Sequence, residues 1–114
     1  MEFLNKLIMN NISATGLKSS DLEKIQLIFK EHLEIDKVII YGSRAKGNYN
    51  PYSDIDITLV GSIDLTSQNK IENELDDLLL PYKFDVSIFN KIENPDLIEH
   101  IKRAGRIIYT KASG

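Results

Sequence analysis

The chain has 114 residues, 42% of them hydrophobic and 27% charged, which bounds it to one small globular domain around a single core. It contains no cysteine, which excludes a disulfide framework and thiolate metal sites and suits a reducing, cytoplasmic setting. Its net charge of −3 argues against gripping nucleic acid by phosphate neutralisation alone, and no run of eighteen apolar residues offers a membrane span.

The opening Met1-Glu2-Phe3-Leu4-Asn5-Lys6 is neither basic nor followed by a long apolar run, so it does not read as a signal peptide. Phe3, Leu4, Leu7 and Ile8 suggest one face of a short helix, broken by Asn10-Asn11 and Thr15-Gly16. Ser20 and Glu23 have capping-box spacing, and Leu22, Ile25, Ile28, Phe29 and Leu33 follow at helical spacing, which predicts a helix over 20–34. Val38-Ile39-Ile40-Tyr41 reads as a strand apolar on both faces, central in its sheet. Turn formers then dominate residues 42–53. Residues 54–60 alternate, with Ile55, Ile57 and Leu59 on one side and Asp54, Asp56 and Thr58 on the other. Ile71, Leu75, Leu78 and Leu79 mark a second amphipathic helix over 66–79, stopped by Pro81. Residues 83–89 alternate again, opposing Phe84, Val86 and Ile88 to Asp85 and Ser87. A helix over 95–104, with Pro95 in its first turn and Gly105 beyond its end, precedes a last strand over 106–110. The expected fold is therefore α/β or α+β, a small mixed sheet with helices on one face. Nothing divides the chain, so residues 1–114 form one domain with its motif core at 36–90.

The alternation has a chemical consequence. If both middle strands lay their apolar faces on the same helices, Asp54, Asp56 and Asp85 share the opposite face. Aspartates one residue apart on a strand stand roughly 6.5–7 Å apart at their Cα atoms and point to one side. Such a cluster repels itself unless a cation neutralises it, and magnesium, which takes one or two carboxylates and fills its shell with water and phosphate oxygens, suits it. Solvated aspartates on a half-buried strand are commonplace, but aspartate is depleted in strands, so two in one strand stand out. Gly42-Ser43, leaving the central strand, presents amides and a hydroxyl to an anion, with Arg44 and Lys46 adding positive charge. Taken alone, that pair is more often an ordinary turn and those cations ordinary surface charges.

Gly42-Ser43, ten residues, then Asp54-Ile55-Asp56 resembles the signature of the DNA polymerase β-like nucleotidyltransferase superfamily, and Tyr41-Gly42-Ser43-Arg44-Ala45-Lys46-Gly47 with Ser53-Asp54-Ile55-Asp56-Ile57 resembles its minimal (MNT) branch. Four fixed positions at set spacing arise by chance on the order of once per 10⁵ starting points. The close match covers residues 36–60. The resemblance implies that Asp54 and Asp56 coordinate two catalytic magnesium ions, with Asp85 as the third carboxylate, which orders one metal and helps activate the attacking hydroxyl. It implies that Gly42 and Ser43 hold the β- and γ-phosphates of ATP and that Arg44, with Lys46, faces the triphosphate. The implied reaction is in-line attack of a hydroxyl on the α-phosphate with release of pyrophosphate.

Domains of this size resemble the antitoxin halves of HEPN–MNT pairs, whose implied activity is transfer of AMP from ATP to a tyrosine of a helical HEPN-type toxin. A short, acidic chain fits an acceptor supplied by a second protein, with no direct nucleic-acid binding and no membrane. Two other readings stand beside it: a non-catalytic nucleotide-binding antitoxin that masks its partner, and a small-molecule nucleotidyltransferase, which usually carries a further helical domain. Self-assembly into a homo-oligomer is another way to supply missing walls. His32 and His100 show no ligand spacing and read as ordinary helix residues. Tyr49 and Tyr52 read as loop packing, and Glu72, Glu74, Asp76 and Asp77 as a solvated helix face.

Overall fold

The computed structural model describes residues 15–47, 50 and 53–111. The expected helical face of Phe3 to Ile8, and Tyr49 and Tyr52, lie outside the described residues.

Among the described residues four α-helices and four strands follow in order: α1 (Ser19–Lys30), β1 (Ile35–Tyr41), α2 (Ser43–Lys46), β2 (Ile55–Gly61), α3 (Leu65–Asp76), β3 (Phe84–Ile88), α4 (Pro95–Ala104) and β4 (Arg106–Thr110), with a short 3-10 turn over Phe89–Lys91. They build a mixed four-stranded sheet in the order β3-β2-β1-β4, an α+β fold in which β1 is interior as its two apolar faces require. Strand β1 runs antiparallel to both neighbours, while β2 and β3 are parallel. A parallel pair needs a crossover, and α3 supplies it.

That crossover fixes what stands beside what. Its register sets Ile55 against Phe84, Asp56 against Asp85 and Ile57 against Val86, so the two strands share parity. Ile55, Ile57, Leu59, Val86 and Ile88 accordingly turn to one core with Leu22, Ile25 and Phe29 of α1 and Ile71 and Leu75 of α3. Each such side chain contributes about 1.5–3 kcal/mol by leaving water, which holds two twelve-residue helices that would be marginal alone. Helix α4 lies beside the far end of β1, where the His100 ring meets the Tyr41 ring edge-on with centroids 6.2 Å apart.

Helix ends differ from expectation in three places. The Ser20–Glu23 capping box does not form: α1 starts at Ser19 behind Lys18, with no side-chain cap. Its end comes at Lys30, so Leu33 is 74% exposed rather than part of the apolar face. The buried residue after the helix is His32, whose Nε2 lies 2.6 Å from Glu74 Oε1. Glu74 is therefore a partner of a buried imidazole, not only a solvated charge on α3. Helix α3 ends at Asp76, and Leu79, at φ 54° and 89% exposed, is not on its core face. Asp64 caps α3 by accepting from the Ser67 amide at 2.8 Å, the role its residue type favours at a helix start.

Two glutamines from these helices complete the edge strands. Pairing of β4 with β1 steps over Ile108, and the carbonyl of that bulged residue accepts from Gln26 Nε2 at 2.9 Å. On the opposite edge, the Val86 carbonyl accepts from Gln68 Nε2 at 3.0 Å. Among the described residues no helix is long and apolar enough to cross a membrane.

Candidate active site

Strand alternation turns the side chains of Tyr41, Asp56 and Asp85 to the sheet face opposite the core. The pairings are direct: Tyr41 opposes Asp56, and Asp56 opposes Asp85. Asp54 sits just before β2, exposed, with its charge felt at Asp56. Burial, then the charge of Asp85, then that of Asp54 push the Asp56 carboxyl above the usual carboxylate range. Burial likewise raises the Tyr41 phenol, with the charges of Asp85 and Asp56 adding to it. Its hydroxyl stands 3.4 Å from Ser87 Oγ. Two residues beyond Asp56 the same face closes, because Thr58 is fully buried. The acidic patch is thus confined to one end of the sheet.

The turn after β1 lies at that same end. Gly42 adopts φ 77° and ψ −153°, and a Cβ placed on it would fall 2.5 Å from Asp56 Oδ2. Only glycine fits between the turn and that carboxylate. Gly42→Ala is expected to keep the fold but lower its melting temperature, since strain of about 1–3 kcal/mol falls on the turn itself. Circular dichroism spectra and melts check this; an unchanged midpoint would show that the turn tolerates a Cβ.

Three contacts pin the short helix α2 that follows. Arg106 Nε donates to the Ala45 carbonyl at 2.9 Å, Lys46 N donates to the Gly42 carbonyl at 3.2 Å, and the Gly42 amide donates to His100 Nε2 at 3.1 Å. Ser43 opens α2, half-buried, and Lys46 closes it, exposed.

The Arg44 side chain is 1% exposed and turns inward, making its bonds inside the fold. Nη1 donates to the Thr15 carbonyl at 2.8 Å, while Nε and Nη2 both donate to the Ser53 carbonyl at 3.2 and 3.1 Å. The guanidinium lies 5.0 Å over the Tyr82 ring, whose hydroxyl donates to Asp21 Oδ2 at 3.1 Å. Arg44 therefore ties α2 to the residue before Asp54, joining the two ends of the motif through its interior.

Sequence reasoning missed His100. It stands 58 positions from Gly42, and nothing local in Glu99-His100-Ile101 announces the contact. Tyr41 could have been placed on the acidic face by strand parity alone.

The donor set suits magnesium in one specific sense. Among the described residues no three Asp, Glu or His side chains converge closely enough to hold an ion by themselves. Magnesium is ordinarily held by one or two carboxylates plus substrate phosphates rather than by a protein cage, and the mutual repulsion at Asp56 is what a bound cation relieves.

The family profile described as Polymerase beta, Nucleotidyltransferase matches residues 23–113. A protein of Methanocaldococcus jannaschii, MJ0604, named for protein adenylyltransferase activity, is 33% identical over 82 residues, covering 66% of this chain and 79% of its own. Among solved structures, a toxin–antitoxin complex with AMP-PNP contains a chain that superposes with a TM-score of 0.65 at 17% identity, over 79% of this chain and 73% of that one. A complex of a tri-AMPylated Shewanella oneidensis HEPN toxin with an MNT antitoxin gives 0.62 at 14% identity, over 83% and 74%. At such identities these two establish likeness of fold.

Proposed function

We propose that this chain, which belongs to the polymerase β nucleotidyltransferase family, transfers AMP from ATP to a tyrosine hydroxyl of a helical HEPN-type partner and acts as that partner's antitoxin. The observation that carries the reading is the register of Asp56 against Asp85, which sets a carboxylate pair beside the Gly42-Ser43 turn, where Asp56 comes within reach of Gly42. Kinship with MJ0604, named for protein adenylyltransferase activity, and the fold shared with the MNT antitoxin support a protein acceptor.

In this reading Asp54, Asp56 and Asp85 would hold two magnesium ions. Ser43 and the Gly42 turn receive the β- and γ-phosphates, and Lys46 adds charge at the rim. Bound magnesium supplies charge neutralisation for the phosphate oxygens. Asp85, exposed on β3, would take the proton of the attacking hydroxyl. A bond forms from that oxygen to the α-phosphorus as the bond to the bridging oxygen breaks, and pyrophosphate leaves with the electron pair.

Purified chain, a HEPN-type partner, ATP and magnesium are expected to yield a partner whose mass rises by whole AMP units. No rise with any divalent metal, alongside intact neutralisation of the partner, would establish masking instead.

A further inference from the structure

The Gly42 amide lies where the β1 ladder ends, so it has left the sheet and needs another acceptor. It finds one in a side chain, His100 Nε2 at 3.1 Å, on a helix remote in sequence. We propose that His100 is a positioning residue of the nucleotide site, holding the Gly42-Ser43 turn at its working distance from Asp56 through this hydrogen bond. The inference rests on the turn being the phosphate site.

Three features make the contact more than a surface bond. First, the turn has little stiffness of its own: Gly42 is in a region of φ open chiefly to glycine, and glycine has the largest conformational freedom to lose. An outside anchor is what selects one conformation. Second, the anchor is itself fixed. The imidazole packs edge-on against Tyr41, and α4 is a capped helix, with Asn94 Oδ1 accepting from the amides of Asp96 and Leu97 and Pro95 in its first turn. Third, the ring is in the state the bond requires. A nitrogen that accepts must be unprotonated, and burial, then the charges of Lys46 and Arg103, hold the imidazole below its ordinary pKa. Nδ1 then carries the proton.

The distance at stake is short. Since a Cβ on Gly42 would meet Asp56 Oδ2 at 2.5 Å, a small displacement of the turn changes the separation between phosphate donors and carboxylates. Misplacement of that kind weakens the grip on a triphosphate that must reach both. His100 does not touch the reacting atoms; it acts through Gly42.

The test compares wild-type chain with His100→Leu and His100→Gln, titrating each with magnesium and AMP-PNP and measuring AMP transfer to the partner. His100→Leu, which keeps apolar bulk and lacks the acceptor, is expected to bind about five- to tenfold more weakly and to raise the nucleotide KM in parallel, the worth of one hydrogen bond. Its kcat is expected to stay within about twofold. His100→Gln, which offers Oε1 at similar reach, is expected to recover most of the affinity. Leu binding as wild type overturns the assignment, and so does Gln binding as weakly as Leu, because packing alone would then account for the residue. A wild-type chain that binds no AMP-PNP overturns the nucleotide reading as well, whereas normal wild-type binding with an unaffected Leu variant overturns only the role of His100.

Discussion

Asp56→Asn is expected to cut AMP transfer by about 10³-fold or more while making the metal-free protein more stable. The first effect follows from removing a carboxylate that, in the proposed mechanism, would hold the cation, since metal-based charge stabilisation is worth several kcal/mol of barrier. The second follows from the same charge. In the folded chain, burial and the neighbouring Asp85 and Asp54 raise the Asp56 pKa above its unfolded value. The folded state then binds that proton more tightly than the unfolded state, so metal-free stability is greatest below the unfolded pKa and falls as pH rises through the raised folded one. At neutral pH the whole penalty is present, and Asn removes it. Melting curves without metal should place Asp56→Asn above wild type at pH 7 and bring the two together in acid. Added magnesium should raise wild type far more than the variant. A variant that melts below wild type at pH 7 would show that Asp56 stabilises the apo fold, contrary to repulsion from Asp85 and Asp54.

Arg44→Ala is expected to cost roughly 3 kcal/mol or more of folding stability, a large part of what a small domain has. The substitution strips the Thr15 and Ser53 carbonyls of charged donors, removes the partner of the Tyr82 ring and leaves a cavity under α2. Arg44→Lys should recover little, because an ammonium cannot span two carbonyls and stack on a ring together. Urea denaturation measures both. If Arg44→Ala left the midpoint near wild type and abolished binding of magnesium–AMP-PNP, the side chain would be a phosphate ligand after all, displaced from its buried position by the nucleotide.

The contrast between Asp85 and Arg44 explains how much was legible in the sequence. Period-two alternation is a local property that the sheet must obey, so assigning Phe84, Val86 and Ile88 to the core turned Asp85 to the same face as Asp56, and the register brought the two together. Helix α4 and strand β4 were equally readable, because Pro95 and Gly105 bracket the helix. An arginine after a glycine-serine turn carries no such constraint. Whether it reaches outward to an anion or inward to carbonyls depends on Tyr82 and Thr15, which only the folded chain brings near. The ends of α1 and α3 were obscured for a related reason. Leu33 and Leu79 continued the apolar spacing, yet the chain had already turned, and the interior place near Leu33 went to His32 paired with Glu74. Tertiary contacts outrank propensity at such ends.

The two glutamine bonds at the sheet margins bear on how a partner can approach. Each outer strand is only five residues long; one is bulged and bonded by Gln26, the other has a carbonyl held by Gln68. Short, interrupted borders of this kind are poor templates for strand addition. Neither flank invites an incoming polypeptide to extend the sheet; under the proposed function, an acceptor chain would reach the acidic end hydroxyl first and withdraw once modified without unzipping a ladder.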